Sequence, residues 1–252
     1  MTTANQENLD SYIAAYDESF PYHDDNIGVL RAYAKEFVEA CKPRRNIRLC
    51  SLGIGYEIVS KTIGNALADQ IGKYVIVEGS PAIIEKFKST MSFPFEVELV
   101  QAYFEEFKPD EGFDVIEMGF VLEHVDDPAL IVKRFASFLK PGGVIIAAVP
   151  NARSLHRELG HRAGLLEDMY ALSKWDHELG HKRYFDNDTF RDLFEEAGMT
   201  VEREAGLMLK PFSTAQLKAL DLPRAVWETL YFAGDVSAKY SYSLYVEATA
   251  PQ

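Results

Sequence analysis

Apolar positions along the chain follow two alternating patterns. Ile27, Leu30, Ala34, Phe37, Val38 and Cys41 recur every three or four residues, which predicts a helix over 27–41 with Asn26 as its cap. Residues 46–52 (NIRLCSL) then form a short strand-like run that stops at Gly53. Helical spacing returns over about 56–70, and 73–78 (KYVIVE) reads as a second buried strand. Pro81 suits the first turn of the following helix. Further strands are expected at 95–100, 113–118 and 144–149, with a helix after Pro128 and a turn at 140–143 (KPGG). Strands alternating with helices imply a parallel sheet covered on both faces.

Beyond Asn151 the periodicity weakens, and residues 151–185 carry four of the six histidines. A helix returns from Asp188 and ends at Gly198, a strand spans about 199–209, and two helical stretches are separated by Pro223. The closing run 240–246 (YSYSLYV) alternates at period two, which suits an antiparallel strand near the sheet edge. The expected fold is an α/β, Rossmann-like, doubly wound sheet of seven strands, six parallel and the last antiparallel. It divides into an N-terminal helical cover at 1–45 and a main domain at 46–252, with an insert at about 151–185.

Charge narrows the classes of partner. With 39 acidic and 26 basic residues the net charge is −13, which disfavours nucleic acid and anionic membrane surfaces. The acids concentrate in 1–30 and 96–127, while 151–185 has a slight basic excess. No signal peptide and no apolar run of membrane-spanning length is visible, and the two cysteines, Cys41 and Cys50, have neither disulfide-framework nor metal-ligand spacing. A cytoplasmic setting is expected.

The loop 51–57 (SLGIGYE) falls where the first strand meets its helix, so Gly53 and Gly55 let a ligand approach backbone N–H groups there. The third glycine of a dinucleotide fingerprint is absent, since position 58 is Ile58. Glu78 ends the second strand, where a carboxylate can accept both hydrogen bonds of a ribose diol; a solvent-facing acid is the alternative.

From about Arg48 to Pro150 the sequence resembles the class I S-adenosylmethionine-dependent methyltransferases of the small-molecule branch. The likeness rests on the glycine loop, on 77–80 (VEGS), on 113–116 (FDVI), and above all on 121–128 (VLEHVDDP) with 139–143 (LKPGG). It implies S-adenosylmethionine as cofactor. Gly53 and Gly55 would pass close to its methionine part and Glu78 would hold its ribose. Tyr103 and Phe104 would touch its adenine, and Met118 and Gly119 would offer backbone groups near the amino end. The chain departs from the family's usual pattern at Ser51, where Asp is common, at Glu57, the loop's third glycine, and at Ala102, where an Asp is common.

The resemblance also places 151–185 over the acceptor pocket. Arg153 and Arg157 suit an anionic group, with His156, His177 and Tyr184 as further substrate contacts. The run 180–185 (GHKRYF) resembles a stretch whose histidine faces the acceptor in many small-molecule members, so His181 is the first candidate for a base or orienting group. His124, after the fourth strand, is the second. His177 and His181 are four residues apart, but without a His-Glu-x-x-His order or a third ligand no metal is expected. Tyr16, Tyr22 and His23 lie in a segment positioned to close over the site, and Trp175 either lines the pocket or fills a small core. The aromatic-rich stretch 210–235 is a homodimer face, a lid or plain core. The expected function is methyl transfer to a small-molecule acceptor, anionic or sugar-like, at O or N. The alternatives are a nicotinamide-dependent oxidoreductase and a non-catalytic relative of the methyltransferases.

Overall fold

A computed structural model describes residues 19–250, so Tyr16 and the first 18 residues of the expected N-terminal cover lie outside the described residues. The first strand, β1 (Ile47–Leu52), is buried along its whole length, because β2 (Ile71–Glu78) and β4 (Phe113–Gly119) flank it and helices cover both faces. The sheet has seven strands in the order β3-β2-β1-β4-β5-β7-β6, with β3 at Glu96–Gln101, β5 at Leu139–Pro150, β6 at Thr200–Leu207 and β7 at Ser243–Thr249. β1 to β5 pair in parallel, and β7 pairs antiparallel with both β5 and β6, so β7 alone runs against the rest. Reversal of the strand order at β1 and β4 opens a crevice at their carboxyl ends, where ligands of doubly wound sheets bind.

One face of the sheet packs Tyr33 and Phe37 of α1 (His23–Cys41), Ile63 of α2 (Ile58–Ala66) and Phe87 of α3 (Pro81–Thr90). The other packs Ile131 and Phe135 of α4 (Pro128–Ala136) with Phe190 and Phe194 of α7 (Asn187–Glu196). Ser80 and Asp127 cap α3 and α4 through their side chains, and Pro81 and Pro128 occupy the first turns. Cys41 and Cys50 are free and buried.

Two features differ from the sequence expectation. The KPGG turn lies inside β5, as a bulge between the pairs Phe113↔Leu139 and Val115↔Val144, with Gly142 at φ +74°. The first helix starts at His23 with no side-chain cap, so Asn26 is inside it. As expected, β7 is antiparallel and near the edge, one strand in from it; it is mostly buried, and the largely exposed β6 takes the edge.

The chain leaves the sheet at Asn151, forms α5 (Leu155–Arg162) and α6 (Lys174–Glu178), and returns where Phe185 bridges Asn151. The Asn151 amide fixes this neck by donating to the carbonyls of Lys239 and Ser241 and accepting from the Arg153 N–H. Beyond β6, α8 (Thr214–Ala219) and α9 (Arg224–Phe232) close over α1. Tyr231 fits against Gly28, where an added Cβ would come 2.2 Å from its ring. The 210–235 stretch is therefore partly core, although Phe212, Leu220, Val226 and Phe232 stay exposed.

Candidate functional site

The crevice at the carboxyl ends of β1, β2 and β4 widens into a cavity of about 1150 Å³, walled on its far side by the 151–185 segment and by residues near Lys210. The glycine loop forms one lip. Gly53 and Gly55 have φ of +76° and +57°, and a Cβ at either would stand in open space, so the backbone is bare toward the cavity. Glu57, at the loop's expected third glycine, also takes the left-handed conformation, φ +61°. Its carboxylate is tied to Thr90 Oγ1 at 2.8 Å and to Lys61 at 3.2 Å, contacts that help hold a backbone shape costing a side-chain-bearing residue about 1–2 kcal/mol.

Glu78 is 7% exposed on the cavity wall, with Oε2 accepting from Ile54 N at 3.2 Å and Oε1 from Ser80 N at 2.8 Å. These two bonds aim the carboxylate, a group able to accept from a diol, along the cavity wall. Tyr103 and Phe104 line the same end, and Gly119 faces the cavity from β4. Met118 is fully buried in the core and does not line the cavity. The bare loop, the aimed Glu78 carboxylate and the aromatic side wall suit an adenosyl ligand with a charged tail.

Glu117, which the sequence did not single out, also borders the cavity at 5% exposure. Its Oε1 accepts from Tyr33 Oη at 2.8 Å and from Gly119 N at 2.7 Å. Burial nevertheless pushes its carboxyl up to about 7.

The opposite wall gathers the histidines. His124 and His181 meet edge to face with ring centroids 4.8 Å apart, although they come from separate parts of the chain. The register between them is fixed by Lys182 N donating to Glu123 O at 2.8 Å and by the 2.7 Å ion pair of Lys182 with Asp126. His181 Nδ1 lies 3.3 Å from Asp176 Oδ1, and both side chains are nearly buried. Asp176 also accepts from Ser173 N at 2.7 Å and Tyr184 Oη at 2.9 Å. Burial opposes its ionisation, but the nearby His181 and the bonds from Ser173 outweigh that and hold the carboxyl well below the usual range.

Glu123 is fully buried behind these rings, and neither of its oxygens has a hydrogen-bond partner among the described residues. Burial raises its carboxyl to about 7, against the pull of His181. Burial and then His181 drive His124 well below its ordinary value, so it stays neutral. One donor atom from each of Glu123, His124 and His181 falls within 4.8 Å of the others, a three-donor cluster of the kind that can hold a metal.

His156, Arg157 and Tyr184 line the cavity as well. The Arg157 guanidinium stacks 4.2 Å over the Tyr184 ring and donates to the Met169 and Ala171 carbonyls, which fastens the loop between α5 and α6. Burial, then Lys210 and Arg157, depress His156. Three expected contacts are not on the cavity wall: Met118, Arg153 and His177. Arg153 is exposed and turned to Asp186 at 3.4 Å, and His177 is exposed on α6. α6 ends at Glu178 and Gly180 takes φ +78°, so His177 and His181 do not share a helix face. Tyr22 lines the cavity, His23 packs on Tyr56, and Trp175 packs on Phe20.

Sequence reasoning missed Asp176, Glu117 and Lys210. Lys210 is 3% exposed, pairs with Asp25 at 2.6 Å, and lies 5.1 and 4.8 Å from the Tyr22 and Tyr242 ring centres. Each partner comes from a distant segment, so no local signal marks the pair.

A family profile described as a methyltransferase domain matches residues 25–204. A ubiquinone biosynthesis O-methyltransferase of Cereibacter sphaeroides is 26% identical over 199 residues, 77% of this chain and 78% of that protein. Among solved structures, magnesium protoporphyrin IX methyltransferase from Synechocystis, with bound S-adenosylhomocysteine, superposes with a TM-score of 0.61 at 13% identity, covering 98% of this chain and 96% of that one. An S-adenosylmethionine-dependent methyltransferase from Mesorhizobium loti gives 0.59 at 15% identity, covering 86% and 97%.

Proposed function

The chain belongs to the methyltransferase-domain family and takes S-adenosylmethionine as its cofactor, and on that premise we propose that it methylates a hydroxyl oxygen of a small acceptor. The observation that carries the choice of oxygen is the His181–Asp176 pair on the cavity wall opposite the glycine loop. A hydroxyl must lose its proton as the new bond forms, and a histidine backed by a carboxylate is built to take it. The O-methyltransferases among the relatives point the same way.

When bound, S-adenosylmethionine supplies a methyl group on a positively charged sulfur, an electrophile already active enough to react. The protein's task is then mostly alignment. Gly53, Gly55 and Glu78 hold the cofactor's end of the cavity, with Tyr103, Phe104 and the backbone at Gly119 beside it. Asp176 faces the Nδ1 side of His181, which leaves Nε2 to accept the acceptor's proton and balances the imidazolium that results. His124 stays neutral and packs the base in place. The segment 151–185 forms the acceptor side, with His156, Arg157 and Tyr184 in its wall, and an anionic substituent suits the part near Arg157 and Lys210. Among the described residues no helix is long and apolar enough to cross a membrane.

The test is a methyl-transfer assay over catechols, phenols, hydroxy acids and amines, with wild type and His181→Ala. The proposal expects transfer to oxygen, a turnover loss of about 10²–10⁴ in the variant, and unchanged affinity for S-adenosylhomocysteine. Transfer to nitrogen only, or equal loss of turnover and cofactor affinity, would contradict it.

A further inference from the structure

We propose that Glu117 is the carboxylate that receives the ammonium group of the cofactor's methionine tail, so that β4 supplies the acid that related enzymes usually carry at the end of β1. The inference rests on S-adenosylmethionine being the cofactor. In the family the chain resembles, the position of Ser51 is commonly Asp. Here Ser51 is a small buried hydroxyl bonded to Tyr74 Oη at 2.9 Å. Its partner in the parallel register between β1 and β4 is Glu117. An acid lost from one strand is thus matched by an acid on the next strand at the same level, and Glu117 borders the cavity beside Gly53 and Gly119.

The surroundings of Glu117 fix its position without neutralising it. Tyr33 and Gly119 both donate to Oε1. Gly119 is required for that approach, since a Cβ there would lie 2.6 Å from Oε1 and 2.3 Å from the Tyr33 ring. The titratable groups facing Glu117 are Tyr33 and Cys41 from α1, Cys50 from β1 and Tyr74 from β2. Burial raises the pKa of all four, so all are neutral near pH 7. No Lys, Arg or His among the described residues forms an ion pair with Glu117. Three buried acids nearby do have basic neighbours: Asp25 has Lys210, Asp176 has His181, and Glu123 faces both histidines. Leaving a buried carboxylate without a counter-charge is costly, and an α-ammonium group entering beside Gly53 and Gly119 removes that cost on binding. The same arrangement selects for the full amino-acid tail over nucleosides that lack it.

The test compares two ligands by calorimetry, S-adenosylhomocysteine and 5′-methylthioadenosine, which keeps the adenosine and lacks the amino-acid tail. Glu117→Gln should lower affinity for the first by about 10–100-fold, as expected for loss of a buried charge-assisted pair, and change the second by less than about twofold. Wild-type affinity for S-adenosylhomocysteine should also rise between pH 6 and 8 as Glu117 ionises, while that for 5′-methylthioadenosine stays flat. This second measurement needs no variant. Equal losses for both ligands, or flat pH profiles for both, would overturn the role of Glu117 and leave the cofactor reading standing. Failure of wild type to bind either ligand would overturn the cofactor reading, and this inference with it.

Discussion

Glu123 gives the sharpest stability prediction, because its environment is extreme. It is fully buried, and neither oxygen has a hydrogen-bond partner among the described residues. Burial lifts its carboxyl from 4.5 to about 7. Below pH 4.5 the group is protonated in both the folded and unfolded chain, and its ionisation makes no contribution to stability. Between 4.5 and about 7 the unfolded chain ionises while the folded chain keeps its proton, so stability falls as pH rises. Above 7 both states are ionised and the loss is complete. A shift of that size corresponds to roughly 3 kcal/mol at 1.36 kcal/mol per unit. Glu123→Gln has the same shape and cannot ionise. Its melting temperature relative to wild type should therefore rise from pH 4.5 to 7 and then level off. The total gain should be roughly 6–12 °C, at about 2–4 °C per kcal/mol for a chain of this size. Thermal melts of both proteins from pH 4 to 9 read this directly. A gap that stays constant, or that shrinks as pH rises, would refute the reasoning, since it would mean that the histidines already neutralise the carboxylate.

Three further outcomes follow from the packing and the site. Lys210→Met should cost about 3–5 kcal/mol in chemical denaturation, because it strands Asp25 as an unpaired buried charge; a loss under 1 kcal/mol would mean that water reaches Asp25. Gly28→Ala should cost about 1–3 kcal/mol by forcing Tyr231 off α1, and an unchanged melting temperature would show that α9 yields freely. Asp176→Asn should lower turnover about 10-fold or more with S-adenosylhomocysteine affinity intact, and unchanged turnover would remove the carboxylate from the mechanism.

What the sequence could show and what it could not divide along physical lines. β1, β2 and β4 were legible because central parallel strands are buried on both faces and read as apolar runs. The Gly53 and Gly55 turn was legible because backbone shape demands glycine there. Glu57 was harder to read, since a non-glycine residue holds the same left-handed shape with the help of its own side-chain contacts. Period-two alternation marked β7 as antiparallel and near the edge, but that pattern reports side-chain direction and not coverage, so it did not show that β6 pairs along its outer side. At the site, His181 and His124 were found through motifs, yet their partner Asp176 was read only as one charge of a mixed segment. Its importance comes from the turn at Gly180, which folds His181 back onto it. Arg153 and His177 were chosen for their chemistry, and the neck at Asn151 and the end of α6 at Glu178 turn them to solvent. Glu117 was hidden because its meaning depends on Ser51 across the strand pair, a relation that only the register supplies.

The central claim is that the crevice at β1, β2 and β4 binds S-adenosylmethionine through Glu78. Calorimetric titration of S-adenosylhomocysteine into wild type and Glu78→Gln tests it most directly. Micromolar-range binding by wild type, weakened about 10–100-fold in the variant, is the predicted result. No measurable binding by wild type, or equal affinity in the two proteins, would contradict the account.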